Sequence, residues 1–229
     1  MKKITLMLFF LFNYSAHGET YFVDHSVSLL QGYNYEMGDS ERNIVTFEHT
    51  SGHSWGGLFV FVDRMKEIHD GGAGTYTELS PSFTLASLGD GLVKDINLAT
   101  TWEMSSLGDN YLVGLGSSLN LPGFKHFSVR VYQRLNDAGD DNQQLTLVWG
   151  LPFNMAGYDF MFDGFMDHVT DLNDNASTNF TPQLKMDVAK IIGYSKKLYV
   201  GVEYVNWTNK FHNDGVNENN VNMLLKAHF

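Results

Sequence analysis

The chain has 229 residues, with 15 Lys and Arg against 26 Asp and Glu, nine His and no Cys. A net charge of −11 leaves no basic footprint for nucleic acid, and the lack of thiols excludes disulfides and thiolate metal sites. The length suits one large β domain or two small ones, and a composition of 43% hydrophobic and 14% aromatic residues is what strands alternating between lipid and lumen average out to.

Taken in chain order, Lys2 and Lys3 make a short basic region, and residues 4–12 are apolar. Ala16 and Gly18 then stand at −3 and −1 of a cleavage site, so a secretory signal peptide is predicted over 1–18. Its apolar run is roughly half of the ~20 residues that a membrane-crossing helix needs. The predicted mature domain covers 19–229. Losing Lys2 and Lys3 leaves 13 basic residues against 26 acidic ones, a net charge of −13.

Beyond the leader the pattern has period two, broken by Gly, Asn and Asp clusters, and no later run has 18 consecutive apolar residues. Strands are predicted at 26–35, 43–50 and 54–64. The last of these is apolar on both sides, with Leu58, Val60 and Val62 against Phe59 and Phe61, and leaves its facing open. Overlapping its start, Gly52-His-Ser-Trp-Gly56 fits the G-x-S-x-G nucleophile elbow. That elbow needs a strand-to-helix turn, and the residues after Gly56 are β-branched and aromatic, so a coincidental match is expected.

In 78–85, Leu79, Pro81, Phe83 and Leu85 oppose Glu78, Ser80, Ser82 and Thr84. The cleanest strand is 94–104, where Ile96, Leu98, Trp102 and Met104 oppose Asp95, Asn97, Thr101 and Glu103. Strands at 111–121 and 127–134 follow, the latter setting Phe127, Val129 and Val131 against Ser128, Arg130, Tyr132 and Arg134. Strands at 144–151, 158–167, 179–188, 197–207 and 220–229 bring the count to twelve. Several are long enough to cross a bilayer when tilted, and ordinary soluble strands are nearer 5 or 6 residues.

The fold expected is therefore all-β: a single antiparallel transmembrane β-barrel of twelve strands. With both termini in the periplasm of a Gram-negative cell, odd connections should be long and extracellular and even ones tight. The long ones (36–41, 65–74, 136–141, 168–176, 209–217) are all odd, the tight ones include 193–195, and 88–92 fits least well. The acidic clusters at 137–141 and 171–174 lack the glycine and closing glutamate of a twelve-residue calcium loop, and read as solvated surface.

Phe229 ends the sequence on the apolar face of 220–229 with Val221, Met223 and Leu225. A terminal aromatic on an alternating strand resembles the signal read by the outer-membrane barrel-assembly machinery. In lipid no strand edge can stay open, so this strand is expected to pair with 26–35.

Glu78-Leu-Ser-Pro81, Phe160-Met-Phe-Asp-Gly-Phe-Met-Asp167, Leu198-Tyr-Val-Gly-Val-Glu-Tyr204 and Asn209-Lys-Phe211 carry a family resemblance, with Phe47-Glu48 and Val62-Asp63-Arg64. They resemble the nucleoside-specific channel-forming outer-membrane protein family, the Tsx-type and OmpK-type proteins. The resemblance implies a monomeric twelve-stranded barrel in outer-membrane lipid whose narrow lumen passes nucleosides, and OmpK-type relatives are also phage receptors.

If the apolar faces meet lipid, the lumen candidates for solute binding are Glu48, Glu78, Arg130, Tyr132, Arg134, Asp163, Phe165, Asp167, Tyr199 and Glu203. The aromatic rings would stack on a base, and the Asp163/Asp167 and Arg130/Arg134 pairs would bind ribose hydroxyls. Each contact must be weak enough to release the solute. Equally, small barrels fill their interiors with bracing side chains. The expected function is passive, selective diffusion of nucleosides or similar small polar solutes, with no cofactor, metal or catalytic residue. The alternatives are a closed barrel recognised at its surface by phage or other partners, and an outer-membrane acyl hydrolase using Ser54.

Overall fold

The period-two pattern is realised as strands along nearly the whole chain. In the computed structural model, which describes residues 18–171 and 175–229, the strands are β1 (Thr20–Tyr33), β2 (Glu41–His53), β3 (Gly56–Glu67) and β4 (Ala73–Ser87). They continue as β5 (Asp95–Ser105), β6 (Gly108–Ser118), β7 (His126–Asn136) and β8 (Asn142–Met155). The last four are β9 (Tyr158–Val169), β10 (Ser177–Asp187), β11 (Leu198–Thr208) and β12 (Glu218–His228). Each pairs antiparallel with its sequence neighbours, and β12 closes the sheet on β1 from Ser26↔His228 to Tyr33↔Val221. The predicted leader lies, apart from Gly18, outside the described residues.

Closure removes the sheet edge, as lipid demands. One stretch stays open: β1 pairs with β2 from Thr20, but its pairing with β12 begins only at Ser26. The Phe229 N–H still reaches the His25 carbonyl (3.0 Å), and Tyr21–Asp24 beyond it have no strand partner on that side among the described residues.

Alternation gives the wall two chemistries. Leu29, Leu115, Val131, Leu184 and Met223 face outward and are exposed, Met223 at 65%, whereas Asn222 beside it faces inward at 1%. An exposed aliphatic belt around a closed barrel is the surface of a protein solvated by lipid. Aromatic rings border it. At the end carrying the termini, Phe153 stacks on Phe160 (5.3 Å) and Trp55 lies beside Phe83 (5.5 Å); at the far end, Trp102 stacks on Tyr111 (5.9 Å). These rings suit the headgroup level, having an apolar body and a place in the wet interface.

Gly164 shows how tightly the wall is fitted. It faces outward opposite Trp149 and Pro182, and its φ of +152°, with the Thr181 carbonyl in the way of any added Cβ, admits only glycine. Across the pair from it, the Trp149 indole packs against Phe180 (5.6 Å) and Phe162 (6.0 Å).

The connections depart from the expected alternation. At the terminal end, 54–55 and 156–157 are tight, but 88–94 and 119–125 are not. The connection expected as a tight turn at 193–195 is one of the longest, 188–197, and carries a one-turn helix, α1 (Ala189–Ile192). At the far end 106–107 is only two residues. The sequence misled because helix-forming residues after Val188 and the β-like run before Ser105 both blur where a strand stops. The strands are also longer than predicted, β4 by several residues, with a bulge between Thr84 and Ala86.

Candidate functional site

The open facing of β3 is settled by register: Phe61 pairs with Glu78 and Phe59 with Ser80, so both rings point inward, while Leu58, Val60 and Val62 face lipid. All ten lumen candidates point inward by the same parity. They gather in two networks on different parts of the wall.

On the β9 to β2 side, Lys185 is the hub. Its ammonium lies 2.6 Å from both Asp163 oxygens and 2.8 Å from Gln183 Oε1, with its side chain 1% exposed. The Tyr199 ring lies 5.5 Å beneath it. Gln183 and Asn222 each donate to Glu203 (2.8 Å both), and the Tyr35 hydroxyl donates to Asn222 (2.8 Å). Glu48 accepts from Ser26 (2.8 Å) and is ion-paired with Lys226.

On the β4 to β9 side, Arg134 forks onto both oxygens of Glu103 (3.2 and 2.9 Å), and Glu103 also accepts from Asn110 (2.8 Å). Gln144 accepts from Arg134 and donates to Asp167 (2.9 Å). Tyr76 donates to Glu78 (2.8 Å). Tyr132 is buried against Ala99 and Leu112. The Phe59, Phe61 and Tyr76 rings form an inward row, 6.3 and 6.2 Å apart. Phe165 faces inward between Val148 and Thr181.

The members of the expected Arg130/Arg134 and Asp163/Asp167 pairs do not share partners in the wall. Arg134 is committed to Glu103, Asp163 to Lys185, and Asp167 to Gln144 and Thr146. Arg130 has no ion-pair partner among the described residues, where the other inward cations of the strands are all paired. Five inward carboxylates, Asp63, Glu78, Asp95, Asp167 and Glu203, likewise have no cation within ion-pair distance among the described residues. Asp63, Gln144, Asn222 and Lys226 escaped the sequence-based choice. Parity could have found Gln144, Asn222 and Lys226, each alternating with a lipid-facing neighbour, whereas Asp63 lies on β3, whose facing only the register settles.

Two clusters hold the far end. Lys210 follows β11 and reaches Glu218 (2.6 Å), both deeply buried. Burial pulls the Lys210 ammonium below the usual lysine range, against the opposing pull of Glu218. In the neighbouring loops, Asp39 accepts from the N–H groups of Glu41 (3.0 Å) and His69, and its carboxyl is held low by these bonds. Hydrogen bonding to Asp39 (3.1 Å) raises His69.

Ser54 occupies the two-residue turn between β2 and β3, where its Oγ accepts from the Glu19 N–H (3.1 Å). A strand follows it, so this is no nucleophile elbow. No group of three potential metal ligands occurs among the described residues, and the 171–174 cluster lies mostly outside them.

Residues 26–227 match the family model described as Domain of unknown function (DUF5020). The chain belongs to this family. No curated protein matches its sequence. Among solved structures, this DUF5020 member is similar to the KdgM porin at 14% identity and a TM-score of 0.55, over 89% of this chain and 99% of that one. The KdgM porin in complex with disordered oligogalacturonate gives 12% identity and a TM-score of 0.54 over 89% and 99%. The Acinetobacter baumannii outer membrane protein Omp33 gives 13% identity and 0.46 over 93% and 99%. Likeness to the KdgM porin at these identities shows that the DUF5020 chain shares its barrel fold, and leaves its solute to be argued from its own residues.

Proposed function

We propose that this barrel is a passive outer-membrane channel for small polar solutes that are neutral or cationic, with nucleosides the first class to test. The observation that carries the reading is the charge balance of the interior. Asp63, Glu78, Asp95, Asp167 and Glu203 lack a cation, and only Arg130 among the strands' inward cations lacks a carboxylate, among the described residues. Carboxylate-lined pores favour cations and repel anions. A polyanionic sugar such as the oligogalacturonate held by the KdgM porin would meet this repulsion along the whole passage.

The inward rings supply the complementary surface. A flat base can stack on Phe59, Phe61 or Phe165, and its ribose hydroxyls can bond to Glu78, Asp167 and Arg130, groups not consumed by ion pairs. The leader, the lipid-type belt and the terminal strand support an outer-membrane location with both termini periplasmic, and entry into the membrane through the assembly machinery.

A second reading has one observation in its favour. Lys185, Glu218, Asn220 and Asn222 are each no more than 2% exposed, so one side of the lumen is filled by side chains. A barrel closed in this way would serve through its loops, as a surface for phage or other partners.

Planar-bilayer recording separates the two. Steady conductance with a reversal potential favouring potassium over chloride, and partial block by nucleosides, is the outcome expected. Silent insertion, or a preference for chloride, would overturn the channel reading.

A further inference from the structure

We propose that the extracellular mouth holds an ammonium-recognition site, filled here by the chain's own Lys210, which an amine-bearing solute takes over by displacing that side chain. The site has two halves of different origin. The receiving half belongs to the barrel. Glu218 at the start of β12 is 1% exposed, and Trp207 near the end of β11 lies beside it across the register. Tyr35 closes the third side, held by its hydroxyl bond to Asn222 (2.8 Å). The second Glu218 oxygen is occupied by the Glu36 N–H (3.2 Å).

The occupant comes from a loop. Lys210 Nζ sits 2.6 Å from Glu218 Oε1, 4.7 Å from the Trp207 ring, 5.6 Å from that of Phe211 and 6.0 Å from that of Tyr35. A carboxylate with several ring faces selects an ammonium, since the rings attract a diffuse cation and offer no metal ligand. A carboxylate this buried also demands a cation, because its charge would otherwise stand uncompensated.

The loop itself is strained. Asn209, Phe211 and His212 have φ of +46°, +54° and +60°, conformations that residues with side chains rarely adopt. It is held by bonds from Asn209 to the Ala176 carbonyl (3.2 Å) and between His212 and the Asn175 carbonyl (3.1 Å). Withdrawing Lys210 lets this backbone relax, and a solute ammonium then satisfies Glu218 in its place. Phe211, half exposed on the same loop, leaves with it and widens the approach.

Only the passage of the bound solute through the barrel rests on the channel reading, so binding is tested without flux. The Lys210→Ala full-length protein in detergent is titrated with n-butylammonium by calorimetry, with n-butanol as the neutral isostere. The alkylammonium is expected to bind at least tenfold more tightly than to the wild type and to raise the melting temperature. Adding Glu218→Gln should abolish both effects. Equal binding by all three proteins, or equal binding of n-butanol, overturns the site. Should Lys210→Ala fail to fold, a spin label at Phe211→Cys in the otherwise native, cysteine-free chain reports displacement directly. Label mobility should rise with n-butylammonium and stay fixed with n-butanol, and mobility unchanged by saturating amine overturns the proposal. Binding by a barrel that is silent in bilayers would sink the channel reading alone.

Discussion

Replacing Lys185 by Met tests the interior more sharply than any other single change. Its ammonium lies 2.6 Å from both oxygens of Asp163, is shut off from bulk water at 1% exposure, and has Gln183 and the Tyr199 ring beside it. Methionine keeps most of the volume and removes the charge, so the loss is electrostatic. Stranding one member of a buried pair costs about 3–5 kcal/mol. Asp163 is 23% exposed and partly hydrated, which places this site at the lower end, about 3 kcal/mol. That corresponds to roughly a 150-fold change in the unfolding equilibrium. Urea unfolding in lipid vesicles, followed by the fluorescence of the four tryptophans, measures it. The double variant Lys185→Met/Asp163→Leu removes both charges and should recover most of the loss. If the single variant is as stable as the double one, the pair does not brace the wall. In bilayers the same single change should shift the reversal potential further toward cations.

Arg130→Ala is expected to leave urea stability within about 0.5 kcal/mol, because no ion pair is broken, while lowering nucleoside flux and increasing cation preference. Unchanged uptake kinetics would remove Arg130 from the solute path. Gly164→Ala should cost about 2–3 kcal/mol in the same unfolding assay, since alanine is strained at φ +152° and meets the Thr181 carbonyl. The Asp39–His69 clamp should depend on pH. Asp39 is lowered on folding, so its contribution is present above about 4, the unfolded aspartate value, and fades as pH falls through the folded value. His69 is raised, so its contribution is full below about 6.5 and fades as pH rises through its folded value. Exchange protection of the His69 and Asp70 amides, corrected for intrinsic rates, should therefore peak between about pH 4 and 6.5. A flat profile would show that the clamp does not order these loops.

Much of the barrel was legible because a strand alternates with period two and a bilayer demands an apolar outer face. The opposing rows Ile96, Leu98, Trp102 and Asp95, Asn97, Thr101 declare their faces from spacing alone. The same parity turns Glu48, Tyr132 and Glu203 inward, and lipid's demand for closure sets the terminal strand against the first. Where both faces of a strand are apolar, spacing carries no such signal. Phe59 and Phe61 became lumen residues only through pairing with Ser80 and Glu78, and α1 was hidden in what looked like a short turn.

Alternation by itself determined the strand number, the closed topology and, outside β3, most of the inward residues, because those depend only on local periodicity and on lipid's intolerance of unpaired backbone. Which inward charges meet was decided by the tertiary structure alone. Shear and tilt bring Arg134 to Glu103 and Lys185 to Asp163, leave Arg130 without a carboxylate among the described residues, and carry Lys210 from a loop into the ring of Glu218, Trp207 and Tyr35. Partners separated by many residues meet through the register of closure, and no local pattern in the chain encodes that register.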